Sequence, residues 1–341
     1  MKEDRGLLGL IACNSGKNFA DSIAGHLNRL VSEKKSERGY RYIDSTEVVF
    51  ANGEIKTSIN EPIRGMDVYV VQLMDDPLSK NSVNDNLFSL ATAINAAFNS
   101  DAGSVTAVIP QFPNSRQERR KGRESLTAMM CAAFLENSGA NRILTVDIHA
   151  EAIVGFFRKA RFDNLHASRE IIDYLTKHEL ANNNTVVVAP DVGSAETARY
   201  YSREMKKDMA MIVKERDYSK PSTVVATKLV GTVKDRDVMI IDDMIATGGT
   251  LIAACETLKD LGAKNINVAV SFPFFNGSAV DKIDDAYSKG IIQSVTGTNA
   301  VWRGEQFKKD HPWYREIDIT RLFADVIFRV NHMESISEIL D

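Results

Sequence analysis

Cysteine is scarce in this 341-residue chain. Only Cys13, Cys131 and Cys255 occur, an odd number with no CxxC pair. That excludes a disulfide framework or a zinc ribbon and points to a reducing, cytoplasmic compartment. Six histidines are scattered without an HExxH string. Neither charge sign dominates, since 42 Lys and Arg face 46 Asp and Glu for a formal net charge of −4. Bulk nucleic-acid binding needs a basic footprint, so no nucleic-acid partner is expected. A small anionic substrate stays open, because a local cluster can oppose the global sign. No run approaches the roughly 20 apolar residues that span a bilayer, so no membrane partner is expected. GxxxxGK[ST] and GxGxxG are also missing, which leaves P-loop and dinucleotide folds without support.

What is present is ordinary for a soluble globular protein, with 44% hydrophobic and 26% charged residues. The length fits two domains at about 150 residues each. Residues 10–13, Leu-Ile-Ala-Cys, resemble a lipoprotein cleavage site, but Glu3 and Asp4 spoil the positive start that such signals need. The segment reads instead as a first buried strand.

Runs rich in β-branched residues at 6–13, 46–50, 67–73, 104–110 and 142–148 read as strands buried on both faces. A second set follows at 184–190, 209–214, 237–241 and 265–272. Between them, apolar residues at three- and four-residue spacing predict helices over 19–30, 83–98, 126–137, 168–178, 195–205 and 250–261. Strand–helix alternation implies an α/β protein with parallel sheets, here as two tandem αβα domains. The first covers residues 1–160 and the second 161–317. The tail, with mixed helix and strand patterning, packs back on the first domain over 318–341.

The most informative string is Val238-Met239-Ile240-Ile241-Asp242-Asp243-Met244-Ile245-Ala246-Thr247-Gly248-Gly249-Thr250. An apolar strand delivers two carboxylates, then a Thr-Gly-Gly-Thr turn, then an amphipathic helix. Ligands of parallel α/β sheets sit beyond the carboxyl ends of strands. Gly248 and Gly249 let backbone N–H groups approach a phosphate, and the helix N-terminus adds its positive dipole end. Thr247 and Thr250 add hydroxyls. Asp242 and Asp243 can hold vicinal sugar hydroxyls or a hydrated magnesium ion. An Asp-Asp pair alone would read as a solvated strand end; the whole string reads as a sugar-phosphate site.

This string resembles the phosphoribosyl-pyrophosphate (PRPP) signature shared by type I phosphoribosyltransferases and ribose-phosphate pyrophosphokinases. Other segments discriminate. Phe50-Ala51-Asn52-Gly53-Glu54 resembles the adenine-contacting loop of the pyrophosphokinases, and 112–120, with Arg116 and Gln117, their ATP loop. Thr145-Val146-Asp147-Ile148-His149-Ala150 resembles their metal-site strand end, 189–193 their second-domain loop and Lys214-Glu215-Arg216 their catalytic loop. Glu334-Ser335-Ile336-Ser337 resembles their tail. The matches run in family order over about residues 46–341, and the chain is identified as a member of the ribose-phosphate pyrophosphokinase family.

The resemblance implies transfer of the β,γ-pyrophosphoryl group of ATP to the C1 hydroxyl of ribose 5-phosphate, in a cleft between two phosphoribosyltransferase-type domains. Lys214 and Arg216 reach the transferring group, Arg216 also meets ribose 5-phosphate, and 217–223 forms a lid. Arg116 lies beside adenine or on phosphate, Gln117 hydrogen-bonds, and Phe50, Asn52, Gly53 and Glu54 contact the nucleotide from a neighbouring subunit. The sugar phosphate falls to Asp242, Asp243, Ala246, Thr247, Gly248, Gly249 and Thr250. Magnesium (Mg2+) falls to Asp147, His149 and Asp191, and an extended segment would put Asp147 and His149 on one side. The family implies a homo-oligomer, commonly a hexamer built from dimers.

Arg119, Arg120, Lys121 and Arg123 extend the cation cluster begun by Arg116. Individually they read equally well as a solvated helix start. Three departures from the family stand out. Ala246 replaces the usual acid, Glu196 and Thr197 stand where a Lys is usual, and Cys13-Asn14-Ser15-Gly16-Lys17 is spelled differently. A non-catalytic homologue and a type I phosphoribosyltransferase are the competing readings. Ala246 favours the former, while the retained Lys214, Arg216, His149, Asp191 and Asp242 oppose it. The adenine loop and the second αβα unit oppose the latter.

Overall fold

A computed structural model describes residues 5–37, 39–216 and 224–340, without the side chains of 214–216, 224–227 and 340. The chain divides into two compact units. One runs to His166 and takes in Ala300–Trp302 and the chain from Asp318; the other comprises Ala167–Asn299 and Arg303–Ile317.

The first unit contains β1 (Leu8–Ala12), α1 (Lys17–Glu33), β2 (Tyr40–Tyr42), β3 (Ser45–Val49), β4 (Ile55–Ile59) and β5 (Asp67–Val71). Then come α2 (Val83–Asn99), β6 (Ser104–Val108), α3 (Thr127–Ser138), β7 (Arg142–Val146) and β8 (Arg161–Leu165). Six strands form a parallel sheet in the order β2-β1-β5-β6-β7-β8. Alternate residues explain its two buried faces. Val68, Val70, Val105, Ala107 and Ile143 join Leu90, Ile94, Ala132 and Leu135 of α2 and α3 in one core. The intervening Tyr69, Val71, Val108 and Leu144 are buried too. Helix α1 buries Phe19, Ile23 and Leu27, its four-residue stripe, and α2 starts at a Ser82–Asp85 capping box.

The run at 46–50 is not the doubly buried strand that its Val-Val-Phe implies. It belongs to a separate two-stranded antiparallel ribbon, β3–β4, and Val48, Val49 and Phe50 are exposed. Among the described residues its one hydrogen-bonded neighbour is β4, so it has no place in either larger sheet.

The second unit contains α4 (Ser168–Lys177), β9 (Thr185–Ala189), α5 (Ala195–Glu204), β10 (Asp208–Arg216), β11 (Val224–Val230) and β12 (Asp237–Ile245). It continues with α6 (Gly249–Asp260), β13 (Ile266–Pro273), α7 (Ala279–Ser288), β14 (Ser294–Thr298), α8 (Gly304–Asp310) and β15 (Tyr314–Ile317). The sheet order is β11-β10-β9-β12-β13-β14-β15. All neighbours are parallel except β10 and β11. Val186, Val188, Val238, Ile240, Val268 and Val270 pack with Leu251, Cys255 and Leu258 of α6 and Ile283 of α7.

Residues 161–166 complete the first unit, because β8 pairs with β7. The tail returns to that unit as α9 (Thr320–Asn331) and α10 (Ser337–Leu340). Beyond Ile317 it is helical, without the strand patterning expected there. Phe323 meets Phe19 edge-on at 5.4 Å. The Asn331 amide donates to the Gly6 carbonyl at 3.1 Å and to the buried Asp67 carboxylate at 3.0 Å. Asp67 also accepts from Arg5 at 3.1 Å and Tyr69 at 3.0 Å.

Candidate active site

In the second sheet the chain moves from β9 outward to β10 and later returns to the other side of β9 with β12. Such a reversal of strand order leaves a crevice beyond the carboxyl ends of the two strands, where open α/β sheets bind ligands. Both sequence-predicted loops of this unit fall there: Asp191 follows β9, and the Asp242–Thr250 string ends β12.

Strand β12 continues past its expected end to Ile245, so Asp242 and Asp243 still belong to it. Both are half-buried, and Asp242 Oδ1 accepts the Asp243 N–H at 3.0 Å. Only Ala246, Thr247 and Gly248 separate the strand from α6. Gly248 is the N-cap at φ +73°, where a side chain would be strained. A Cβ there would also stand 3.5 Å from Ala279. No side chain caps α6 and no acid occupies its first turn, so the amide end offers an anion its N–H groups and positive dipole. Thr247, Gly249 and Thr250 are exposed.

The loop rests on a support that sequence reasoning missed. Phe275 sits at φ +48°, an outlier for a bulky residue. It is buried against Phe307, Trp313 and Tyr314 at 6.0, 5.6 and 5.8 Å between centroids. The Arg303 guanidinium covers it at 5.1 Å and donates to the Phe274 carbonyl at 2.7 Å. This packing over-determines the strained turn. Its N–H groups then reach the β12–α6 connection, Phe275 to the Ile245 carbonyl at 3.0 Å and Asn276 to the Ala246 carbonyl at 2.8 Å. The contacts span 30 residues of sequence and more, so no local motif could reveal them.

Asp191 serves a local role as well. Its Oδ1 accepts from the Ser194 N–H at 3.1 Å and hydroxyl at 3.3 Å, bracing the start of α5. A Cβ at Gly193 would stand 3.2 Å from that same oxygen. Lys214 and Arg216 lie in the part of β10 that pairs antiparallel with β11, with a register shift between Glu215 and Arg216. The expected lid at 217–223 and the side chains of Lys214 and Arg216 lie outside the described residues.

In the first unit, parallel β6 and β7 bring two loops side by side at their carboxyl ends. Arg116 and Gln117 are exposed on the loop after β6. The turn is closed by the Gln117 N–H on the Asn114 carbonyl at 2.9 Å, and Asn114 has φ +55°. The cations from Arg119 to Arg123 stand in irregular chain, since α3 begins only at Thr127. Arg119 pairs with Glu118 at 3.4 Å.

The expected side-by-side display of Asp147 and His149 fails, because β7 ends at Val146 and Asp147 turns to φ +43°. Alternation does not carry through a left-handed residue. Two residues of β8 and its end hold this turn instead: Asn164 Oδ1 accepts the Ile148 N–H at 3.1 Å, and His166 Nδ1 meets Asp147 Oδ1 at 3.3 Å. The Asp147 carboxylate raises the His166 pKa above its ordinary value. Farther along, Glu136 Oε1 accepts three successive N–H groups, from Arg158, Lys159 and Ala160, at 2.8, 2.6 and 2.8 Å. Partial burial works to raise its pKa, yet these bonds bring it below the ordinary carboxylate value.

Phe50, Asn52, Gly53 and Glu54 form the tip of the β3–β4 ribbon. Phe50 donates its N–H to the Glu54 carbonyl at 2.8 Å, and Asn52 Oδ1 accepts the Glu54 N–H at 3.2 Å. Gly53 takes φ +88° to close the turn. Phe50 is 47% exposed, so it is not a core residue.

Among the described residues, no three His, Cys, Asp or Glu side chains are grouped to hold a metal ion. Asp147 and His149 belong to the first unit and Asp191 to the second. The donor chemistry still fits magnesium, which takes one or two carboxylates and fills its octahedron with water and substrate phosphates. All three cysteines are buried free thiols. Burial pushes Cys13 and Cys131 up and Cys255 to about 12, so none is a ready nucleophile.

Comparison with known proteins agrees with this arrangement. Residues 8–139 match the N-terminal domain of ribose phosphate pyrophosphokinase, and 161–307 match the phosphoribosyl transferase domain. A ribose-phosphate pyrophosphokinase from Wolinella succinogenes is 36% identical over 85% of this chain and 88% of its own length. One from Haemophilus ducreyi is 36% identical over 94% and 98%. The crystal structure of phosphoribosylpyrophosphate synthetase from Mycobacterium smegmatis matches with a TM-score of 0.82 at 29% identity, covering 96% of this chain and 99% of that one. With family models matching both units and relatives aligned through both, the chain belongs to the ribose-phosphate pyrophosphokinase family.

Proposed function

We propose that this chain catalyses pyrophosphoryl transfer from ATP to ribose 5-phosphate, yielding PRPP and AMP. The observation that carries the reading is the Asp242–Thr250 strand–loop–helix, a sugar-phosphate site, in a chain whose first unit matches the pyrophosphokinase N-terminal domain. The C1 hydroxyl oxygen attacks the β-phosphorus of ATP, and the bond from that phosphorus to the α,β-bridging oxygen breaks. AMP leaves with the bridging oxygen, and the hydroxyl proton is released.

Such transfers depend on positioning and charge neutralisation more than on covalent chemistry. The amide end of α6, with Thr247 and Thr250, receives the 5-phosphate. Asp242 and Asp243 accept hydrogen bonds from the ribose hydroxyls, and Ala246 leaves one acceptor fewer than the family pattern. Arg116 and Gln117 hold the nucleotide with Phe50, Asn52, Gly53 and Glu54. Lys214 and Arg216 stabilise charge on the transferring group, Arg by a planar fork and Lys as a point charge. Magnesium, when bound with ATP, would neutralise phosphoryl oxygens, and Asp147, His149 and Asp191 would hold it directly or through water.

The exposed Val48-Val49-Phe50 edge supports a homo-oligomer in which the ribbon meets a neighbouring copy, in a hexamer built from dimers. Among the described residues no helix is long and apolar enough to cross a membrane, and the reading places the enzyme in the cytoplasm.

Phosphorus NMR of the chain with ATP, magnesium and ribose 5-phosphate tests the reaction. Matched growth of AMP and PRPP signals is expected. Nucleotide binding without turnover would instead identify a regulatory homologue, the alternative that Ala246 favours. PRPP consumption in the presence of a base would identify a transferase.

A further inference from the structure

Three successive carbonyls of the sugar-phosphate loop are held from one side. Those of Ile245 and Ala246 accept from the backbone of Phe275 and Asn276, at 3.0 and 2.8 Å. The third, of Thr247, accepts at 3.1 Å from a side chain, the ammonium of Lys282 on α7. In a trans peptide the C=O of one residue and the N–H of the next point in opposite directions, and no cis bond occurs among the described residues. Holding the Ala246 and Thr247 carbonyls toward α7 therefore turns the N–H groups of Thr247 and Gly248 the other way.

The Thr247–Gly248 peptide is the one that most needs holding. It borders Gly248 at φ +73° and Gly249 follows, so backbone sterics resist a flip least at this point. A flip would present a carbonyl oxygen to an incoming anion in place of an N–H. Backbone bonds fix the two preceding peptides, whereas this one depends on Lys282.

We propose that Lys282 is a positioning residue for sugar-phosphate binding: its ammonium holds the Thr247 carbonyl toward α7 and keeps the Gly248 N–H turned to the phosphate. The inference rests on the ribose 5-phosphate reading of this loop. Lys282 is exposed on α7, and its long stem makes it no part of the core, so its removal leaves the fold intact.

The test uses the full chain, with K282M and K282R compared by calorimetric titration of ribose 5-phosphate and by steady-state kinetics with ATP and magnesium. K282M is expected to weaken ribose 5-phosphate binding and raise its KM by about tenfold, the scale of one charge-assisted hydrogen bond. Its kcat should change less than about twofold, and the KM for ATP should not move. K282R should recover most of the loss, because a guanidinium also donates to a carbonyl. A merely structural lysine would lower the melting temperature and shift both substrates together, which would overturn the proposal. Unchanged ribose 5-phosphate binding by K282M would overturn it too, while leaving the functional reading intact. Failure of the unmodified chain to bind ribose 5-phosphate would overturn both.

Discussion

The candidate binding segments of the two units are built by different rules. The proposed sugar-phosphate loop of the second unit is one continuous piece, strand β12, the loop Ala246, Thr247 and Gly248, and helix α6. Its donors are backbone groups, placed by hydrogen bonds from Phe275 and Asn276. The residues proposed for the nucleotide and its magnesium lie in the first unit on three separate segments, the ribbon tip at Phe50–Glu54, the loop bearing Arg116 and Gln117, and the turn at Asp147–His149. Their side chains are largely exposed. A backbone site demands particular backbone angles, and only certain residues meet them. A side-chain site demands only reach, so many residues can be exchanged at graded cost.

The largest expected effect tests that contrast. Gly248→Val puts a β-branched residue at φ +73° with its Cβ 3.5 Å from Ala279. The conformational cost alone is about 1–2 kcal/mol, and displacement of the amides adds to it. Ribose 5-phosphate kcat/KM should fall by about 100-fold or more, measured by AMP release, with nucleotide affinity unchanged. If Gly248→Val were mild, the backbone account of this half would fail.

Arg116→Ala examines the other half. Loss of one stacking or phosphate-contacting cation is worth about 1–2 kcal/mol. The KM for ATP should rise by about tenfold while that for ribose 5-phosphate holds. Equal effects on both substrates would dissolve the division between the halves.

Glu136→Gln probes the scaffold of the first unit. The carboxylate accepts three N–H groups at 158–160, which lowers its pKa in the folded chain. A group depressed on folding contributes stability above its unfolded pKa and loses it as pH falls through the folded value. The variant should therefore melt lower than the parent at pH 7, by the equivalent of about 1 kcal/mol. The gap should close below pH 4 in thermal melts. A gap independent of pH would assign the effect to packing.

The smallest effect is expected at Ala246→Asp. It restores an acceptor beside Thr247 and should lower the ribose 5-phosphate KM by about two- to fivefold, the scale of one exposed hydrogen bond. An unchanged or higher KM would count against a sugar contact at this position.

Legibility in the sequence follows the same division. Continuous apolar runs announced β5, β6, β7, β9 and β13, because strands covered on both faces need apolar residues throughout. Strand β8, Arg-Phe-Asp-Asn-Leu, escaped that logic, since its Asp163 pairs with Arg142 of β7. Strand β14 is fully buried yet written mostly in Ser, Thr and Gly. The strand, turn and helix of Asp242–Thr250 were readable because their backbone signals are local. Phe275, Asn276 and Lys282 were not, since the fold brings them to the loop from a distant stretch. The nucleotide reading of the first unit rests on family resemblance and on the cation cluster from Arg116 to Arg123. Nothing in the composition of Phe50–Glu54 marks a ribbon tip as a nucleotide contact.

The central claim concerns which bond breaks. ATP carrying oxygen-18 in the α,β-bridge, incubated with magnesium, ribose 5-phosphate and the chain, decides it by mass spectrometry of the products. Attack of the C1 hydroxyl on the β-phosphorus sends the label into AMP and leaves PRPP unlabelled. Label in PRPP, or AMP formed without PRPP, would contradict the account.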